Sequence, residues 1–397
     1  MKRKIALGID SWYPQVDGAT NVVANYHTAL AAENECVLIA PSYGEKLDAE
    51  GERVYHKDVF HNKSHKFPII NYRNSMPYSD KKLRKTLDEM QPDLLHAHSP
   101  FAICRCFHKY GKKHRIPVVY TFHTKFKDDM LNVTHSRLLT FVAMKYLMHN
   151  INHADYVWAV SDHAAQVLHS YGYKKNVRVM PNATEVPVTT DEERKRLCDE
   201  FNRQNDFLPD EKVLLYVGRV VAVKNLEFSF SVMAELKRRG IACKFVVVGT
   251  GEMEKHQKMV AEKDVEDRVI FAGPVIDKQL LRHYYSRADL FLMPSTFDTY
   301  GLVVAEAAAC GTPSLVAENS SAAEIVSNGV TGYVEKLDVS AWADRITKIF
   351  AKQETLSGRC CDVAVSWKDR ITEVNAAYDE IVTDFLSKEN AKTKRNK

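Results

Sequence analysis

One stretch limits what this chain can fold into more than any other: the run Leu290-Phe-Leu-Met293 and the thirteen residues after it, Pro294-Ser-Thr-Phe-Asp298-Thr-Tyr300-Gly301-Leu302-Val303-Val-Ala-Glu306. Four apolar residues stopped by a proline read as a buried strand. The polar turn that follows carries Asp298, and from Gly301 an alanine-rich helix begins that holds Glu306. This is a strand-loop-helix unit of an open α/β sheet, where ligands bind outside the carboxyl ends of the strands and helix N-termini face anionic groups. The backbone N–H groups of Gly301, Leu302 and Val303 can hold a phosphate. Glu306 can accept from sugar or ribose hydroxyls. The plainer alternative, a buried strand-loop-helix with solvated acids, fits the spacing equally well.

The same alternation recurs along the chain. Lys4-Ile-Ala-Leu-Gly-Ile9, Cys36–Ala40, Asp93–His98, Ile116–Phe122 and Asp155–Val160 read as strands of a first domain, and Ser161 caps a helix over 162–170. Lys212–Val217, Lys244–Val248, Arg268–Gly273, Leu290–Met293 and Ser314–Val316 read as strands of a second. The polar run 189–210 reads as a connector. With 397 residues the chain exceeds one ordinary core, so two domains are expected, divided near residue 186.

Two loops carry further candidates. After Lys212–Val217 come Arg219 and Lys224, suited to a diphosphate, the first as a bidentate fork and the second as a point charge. After the first strand, Gly18 opens a helix and permits close backbone approach. That loop lacks G-x-G-x-x-G, and Gly249-Thr-Gly251 lacks the third glycine, which argues against a dinucleotide. His123 leaves the carboxyl end of a strand, an edge where ligands sit, and is the candidate substrate-contacting histidine. His96 and His98 are expected on opposite strand faces, so no metal site is expected from them.

Charge is uneven. Residues 1–186 hold 25 Lys and Arg against 18 Asp and Glu, a balance of +7, whereas 187–397 have −3; the first part also holds 14 of the 16 histidines. Basic runs at Lys81–Lys85 and Lys109–Arg115 suit an anionic membrane surface or an anionic substrate, and no nucleic-acid motif is present. A solvated basic face is the bland alternative. No apolar run reaches the roughly 18 residues of a membrane span, and the apolar start is too short for a signal peptide, so a cytoplasmic location is expected. The eight scattered cysteines read as reduced thiols.

Gly218-Arg219 with Lys224, Gly273, and Pro294-Ser295 followed by Asp298 to Glu306 resemble the retaining GT-B glycosyltransferases of the family-4 kind. The likeness extends from the loop at Gly18 through Val177-Arg-Val-Met-Pro-Asn182 to the Ser366-Trp367 helix. It implies an α/β fold of two Rossmann-like domains facing across a cleft: residues 1–186 for the acceptor, 187–365 for the nucleotide sugar, a helix 366–386 crossing back to the first domain, and a basic tail 387–397. It also implies a hexose transferred without metal or cofactor from a nucleoside-diphosphate sugar, a UDP-hexose being favoured. Arg219 and Lys224 would meet the diphosphate, Glu306 the ribose, Gly18 the phosphate region, Asp298 and His123 the donor sugar, and Gly273 and Val275 the base. Tyr300, Gly301, Leu302 and Val303 complete the donor loop. The family has Glu where this chain has Asp298, and two glycines and a proline where it has Ser320, Ser321 and Ala323.

The stretches from Asp10 to Gly18 and Thr121-Phe-His-Thr124 look like those of bacterial diacylglycerol glucosyltransferases within the family. That likeness implies a lipid or lipid-linked glycan acceptor and reversible contact with the inner membrane face. A non-catalytic sugar-nucleotide binder of the same fold is the alternative; a nicotinamide-dependent oxidoreductase is disfavoured by the missing fingerprints.

Overall fold

The computed structural model describes residues 2–13, 18–43, 59–66 and 73–395. The middle of the opening loop and parts of the region 43–78 lie outside the described residues. Chain contacts separate two compact units: Met1–Asn182 with Trp367–Lys397, and Ala183–Ser366.

Unit 1 is built on β1 (Lys4–Gly8), β2 (Glu35–Pro41), β3 (Val59–Asn62), β4 (Ser64–Lys66), β5 (Arg73–Ser75), β6 (Leu94–Ala97), β7 (Val118–Phe122), β8 (Tyr156–Ala159) and β9 (Arg178–Val179). All but the β4-β5 hairpin form one parallel sheet in the order β3-β2-β1-β6-β7-β8-β9. Ile5 stands opposite Cys36 on one side and Leu94 on the other. The order reverses direction between β1 and β6, the place in an open α/β sheet where ligands characteristically bind. Strands such as Val118–Phe122 are buried along their whole length, as expected for a sheet covered on both faces.

Unit 2 is built on β10 (Val213–Val217), β11 (Lys244–Val248), β12 (Val269–Gly273), β13 (Leu290–Met293), β14 (Ser314–Ala317) and β15 (Tyr333–Glu335). Its parallel order is β12-β11-β10-β13-β14-β15, with the reversal between β10 and β13. The polar run expected to connect the domains is instead a helix, Asp191–Asn205, capped by Thr190, whose hydroxyl accepts from Glu193 N–H at 3.2 Å. Leu197 and Phe201, four apart, bury one narrow stripe of an otherwise charged surface. The Arg194 guanidinium on that helix donates to the carbonyls of Ser286 and Ala288, so the segment belongs to unit 2.

The last helix spans Trp367–Arg395, so most of the lysine-rich stretch expected as a tail continues it. It packs on unit 1 through an apolar stripe of Ile371, Val374, Tyr378 and Ile381, all buried. Tyr378 stacks on Trp158 at 5.5 Å between ring centroids. Around this stripe Arg3 pairs with Asp379, and Asn34 hydrogen-bonds Asn375.

Candidate active site

In unit 2 the candidate residues gather at the switch point. The loops after β10 and β13 leave adjacent strands, and side chains tie them together. Asn225 Nδ2 donates to the Pro294 carbonyl at 3.3 Å, and Ser295 Oγ donates to the Val223 carbonyl at 3.1 Å. Ser295 Oγ also accepts from Phe297 N–H, fixing the start of the turn. Between these ties Lys224 Nζ forms a short ion pair with Asp298 Oδ1, both side chains being largely buried. Asp298 Oδ2 is buried with no hydrogen-bond partner. A buried carboxylate oxygen left open in this way is an acceptor in need of a donor, such as a sugar hydroxyl. Arg219 is exposed on the same loop, whose course is held by the Tyr216 hydroxyl donating to the Arg219 carbonyl at 2.9 Å.

Gly301 adopts φ +95°, a left-handed turn that L side chains avoid, and so starts the helix Leu302–Ala309 without a capping side chain. The first N–H groups of that helix therefore remain available to an anion, beside Lys224 and Asp298. Glu306, one turn inward, accepts from the Tyr285 hydroxyl at 2.7 Å through Oε2. Burial raises the Glu306 pKa and the Tyr285 hydrogen bond opposes that rise. Tyr285 is fully buried beneath the helix and orients the carboxylate; no sequence spacing announced it.

Gly273 ends β12 with φ +74° and accepts from Gly249 N–H at 2.8 Å, and Val275 follows it, packed against the unit 2 core. A Cβ on Gly273 would meet open space. Where two glycines were expected from the family, Ser320 is the N-cap of the helix Ser321–Ile325. Its hydroxyl accepts from Ala323 N–H at 3.2 Å and donates to the Ala317 carbonyl at 2.6 Å. Tyr300 is buried in the turn between β13 and the helix Leu302–Ala309.

Gly18 and His123 belong to unit 1. Gly18 is exposed at the first residue of the helix Gly18–Ala31, with open space beside it. His123 follows β7 and is buried; its Nε2 lies 2.9 Å from His98 Nδ1. Burial lowers the His123 pKa to about 3, so the ring is neutral and can donate or accept one hydrogen bond at each nitrogen without carrying charge. The reading of His96 and His98 on opposite faces is corrected: residues two apart on a strand share a face, and their ring centroids are 4.1 Å apart. His96 is enclosed by the Tyr378 hydroxyl at 2.6 Å and the Thr121 hydroxyl at 2.7 Å. No cluster of three or more His, Cys, Asp or Glu side chains among the described residues can hold a metal.

The unit 1 switch point also holds a network that sequence reading missed. Asp10, two residues past β1, accepts from Ser99 Oγ at 2.9 Å and from Ile103 N–H at 3.1 Å, while its own N–H donates to Ser99 Oγ. Burial outweighs these hydrogen bonds and lifts the Asp10 pKa to about 7. An acid within two residues of the first strand's carboxyl end is the sequence signal that could have found it.

Two Rossmann-like sheets, the second with cations and a glycine-started helix at its switch point, have the architecture of a GT-B glycosyltransferase. Residues 16–186 match the family described as Glycosyltransferase Family 4, and residues 199–358 match Glycosyl transferases group 1; the chain belongs to these glycosyltransferases. It is 26% identical to the alpha-monoglucosyldiacylglycerol synthase of Streptococcus pneumoniae, over 83% of this chain and 74% of that protein. It is 25% identical to the N-acetyl-alpha-D-glucosaminyl L-malate synthase of Bacillus anthracis, over 96% of this chain and 98% of that one. The crystal structure of Anabaena Alr3699/HepE in complex with UDP-glucose superposes with a TM-score of 0.67 at 18% identity, covering 97% of this chain and 99% of that one.

Proposed function

We propose that the protein is a retaining hexosyltransferase that moves a hexose from a UDP-sugar to a lipid or lipid-linked glycan acceptor at the inner membrane face, without a metal. The observation that carries this reading is the convergence of Arg219, Lys224, Asp298 and the uncapped helix start at Leu302 on one switch point. Charge develops on the leaving diphosphate as the bond to the sugar breaks. Two cations and a helix N-terminus can neutralise that charge. Glu306 holds the ribose, and the open Asp298 Oδ2 accepts from a sugar hydroxyl. His123 is assigned to the donor sugar by the family resemblance, as a neutral hydrogen-bonding group. The acceptor oxygen bonds to the sugar carbon from the face the diphosphate leaves, and its proton passes to a phosphate oxygen.

The lipid acceptor draws on the name of the pneumococcal relative and on the basic face of unit 1; contact with the membrane would be electrostatic and salt-sensitive. Turnover of UDP-glucose, UDP-galactose, UDP-N-acetylglucosamine and GDP-mannose in excess chelator, with diacylglycerol vesicles as acceptor, tests the reading. Sugar transfer with retained anomeric configuration is expected. Complete loss in chelator that magnesium restores would overturn the metal-free assignment. The Lys224–Asp298 pair favours one second reading, a sugar-nucleotide binder without turnover, since the cation is already neutralised. Tight donor binding with no donor cleavage, even of the slow hydrolytic kind, would select it.

A further inference from the structure

The helices Ala102–His114 and Arg137–Asn152 flank an open surface cavity of about 410 Å³ whose lining includes Arg105, Lys109, Lys112, Lys113, His149 and His153, and no carboxylate. Neither helix contains an Asp or Glu. Arg105, Lys109 and Lys112 recur at four and three residues and so share one helix face, where like charges repel unless an anion joins them. Such single-sign charge in a concavity concentrates field and collects anions.

The neighbouring surface is of a different kind. On the helix Arg137–Asn152, Leu138 is 70% exposed, Val142 57%, Leu139 and Phe141 56%, and Tyr146 40%. Leu138, Val142, Tyr146, His149 and His153 follow one another at three to four residues, so the apolar stripe runs directly into the cationic cavity. Lys145, on the same helix, lies over the Phe141 ring at 4.7 Å. A soluble anion would account for the cavity but not for five bare apolar side chains. A protein partner would account for the stripe but gives no reason for two helices free of acids. An anionic bilayer meets both, with phosphoryl groups at the level of the cations and acyl chains at the level of the stripe.

We propose that this cavity seats the phosphoryl headgroup of an anionic phospholipid while the exposed face of Arg137–Asn152 enters the membrane interface. The proposal deepens the membrane contact put forward above, and it stands whether or not the chain transfers sugar. It places docking at one built site, where the earlier reading spreads it over all the basic runs.

The test uses the full chain with vesicles of phosphatidylcholine alone and of phosphatidylcholine with about a third phosphatidylglycerol. Arg105→Ser with Lys112→Ser removes two cavity cations; Lys81→Ser with Lys82→Ser removes two from the exposed helix Lys81–Met90. The first pair is expected to weaken binding to the anionic vesicles by about tenfold or more, and the second by about threefold or less. The indole introduced by Phe141→Trp is expected to be quenched by lipids spin-labelled high on the acyl chain. Equal losses from both pairs would overturn the site while leaving diffuse electrostatic docking intact, and an unquenched indole in the Phe141→Trp variant would overturn insertion. Calorimetric binding of inorganic phosphate without vesicle binding would assign the cavity to a soluble anion and overturn the lipid. Donor cleavage measured on the same variants reports separately on the transferase reading, and is expected to be unchanged.

Discussion

Lys224 and Asp298 neutralise each other across two loops at the unit 2 switch point, and on the proposed function each would meet the donor there. A diphosphate arriving beside Lys224 competes for the ammonium, and a sugar hydroxyl can satisfy the open Asp298 Oδ2. Asp298→Glu keeps the charge and lengthens the reach by one methylene, restoring the acid the family carries. Retained or improved turnover with a common UDP-hexose is expected, and abolished turnover would show that the shorter acid selects a particular sugar. Arg219 is exposed, so its role rests on ligand charge rather than on packing. Arg219→Ala should raise the barrier by about 2–4 kcal/mol if the guanidinium meets the developing diphosphate. A change in kcat/KM below about threefold would remove it from the site. These residues were legible because charged groups in a loop after a strand stand out. The Tyr285 hydroxyl beneath Glu306 was not, since a buried tyrosine on a helix looks like any core aromatic. His98 was lost to a mistaken strand parity.

At the scale of elements, the loops at the unit 2 switch point are held by close backbone approach. Gly249 has φ +143°, and a Cβ there would lie 1.8 Å from the Gly218 carbonyl oxygen. Gly251, at φ +153°, would place one 2.2 Å from the Val220 carbonyl. Both contacts are with backbone, so no side-chain rotation relieves them. The Gly249-Thr-Gly251 pair, which superficially resembles half a nucleotide fingerprint, therefore packs the β11 loop onto the loop that carries Arg219 and Lys224. Gly249→Ala should shift that loop. Stability should fall by about 1–3 kcal/mol, and donor affinity should fall with it. A variant with wild-type midpoint and wild-type donor affinity would show that the approach is dispensable. Strands and their following loops were legible from apolar runs and punctuation, because a fully covered parallel sheet leaves an unbroken hydrophobic signal. The helix Asp191–Asn205 was not, because only Leu197 and Phe201 mark its buried side.

The whole chain divides its titrating groups as unevenly as its charge. His96, His98 and His123 come together in unit 1, each held neutral by burial, with His123 at about 3 and the other two well below 6.5. Between their folded and unfolded pKa values the unfolded chain binds more protons, so their contribution to stability is present above about pH 6.5 and is lost as pH falls. Asp10 works in the opposite sense. Its carboxyl is lifted from 3.8 to about 7, so the folded state holds the extra proton and stability falls as pH rises through that window. Among these four groups the one acid offsets one histidine, so on the acid side of pH 6.5 the unfolded chain takes up a net excess of protons and stability falls with pH. Unit 2 contains only His256 and His283, so acid should open unit 1 first, and the two transitions should separate. Urea midpoints followed at pH 7 and pH 5 by limited proteolysis would report this as early cleavage within residues 1–182 at pH 5. His98→Gln should flatten the pH dependence by one proton and Asp10→Asn should steepen it. Parallel pH profiles for wild type and both variants would mean that these buried groups do not govern the acid stability of the chain.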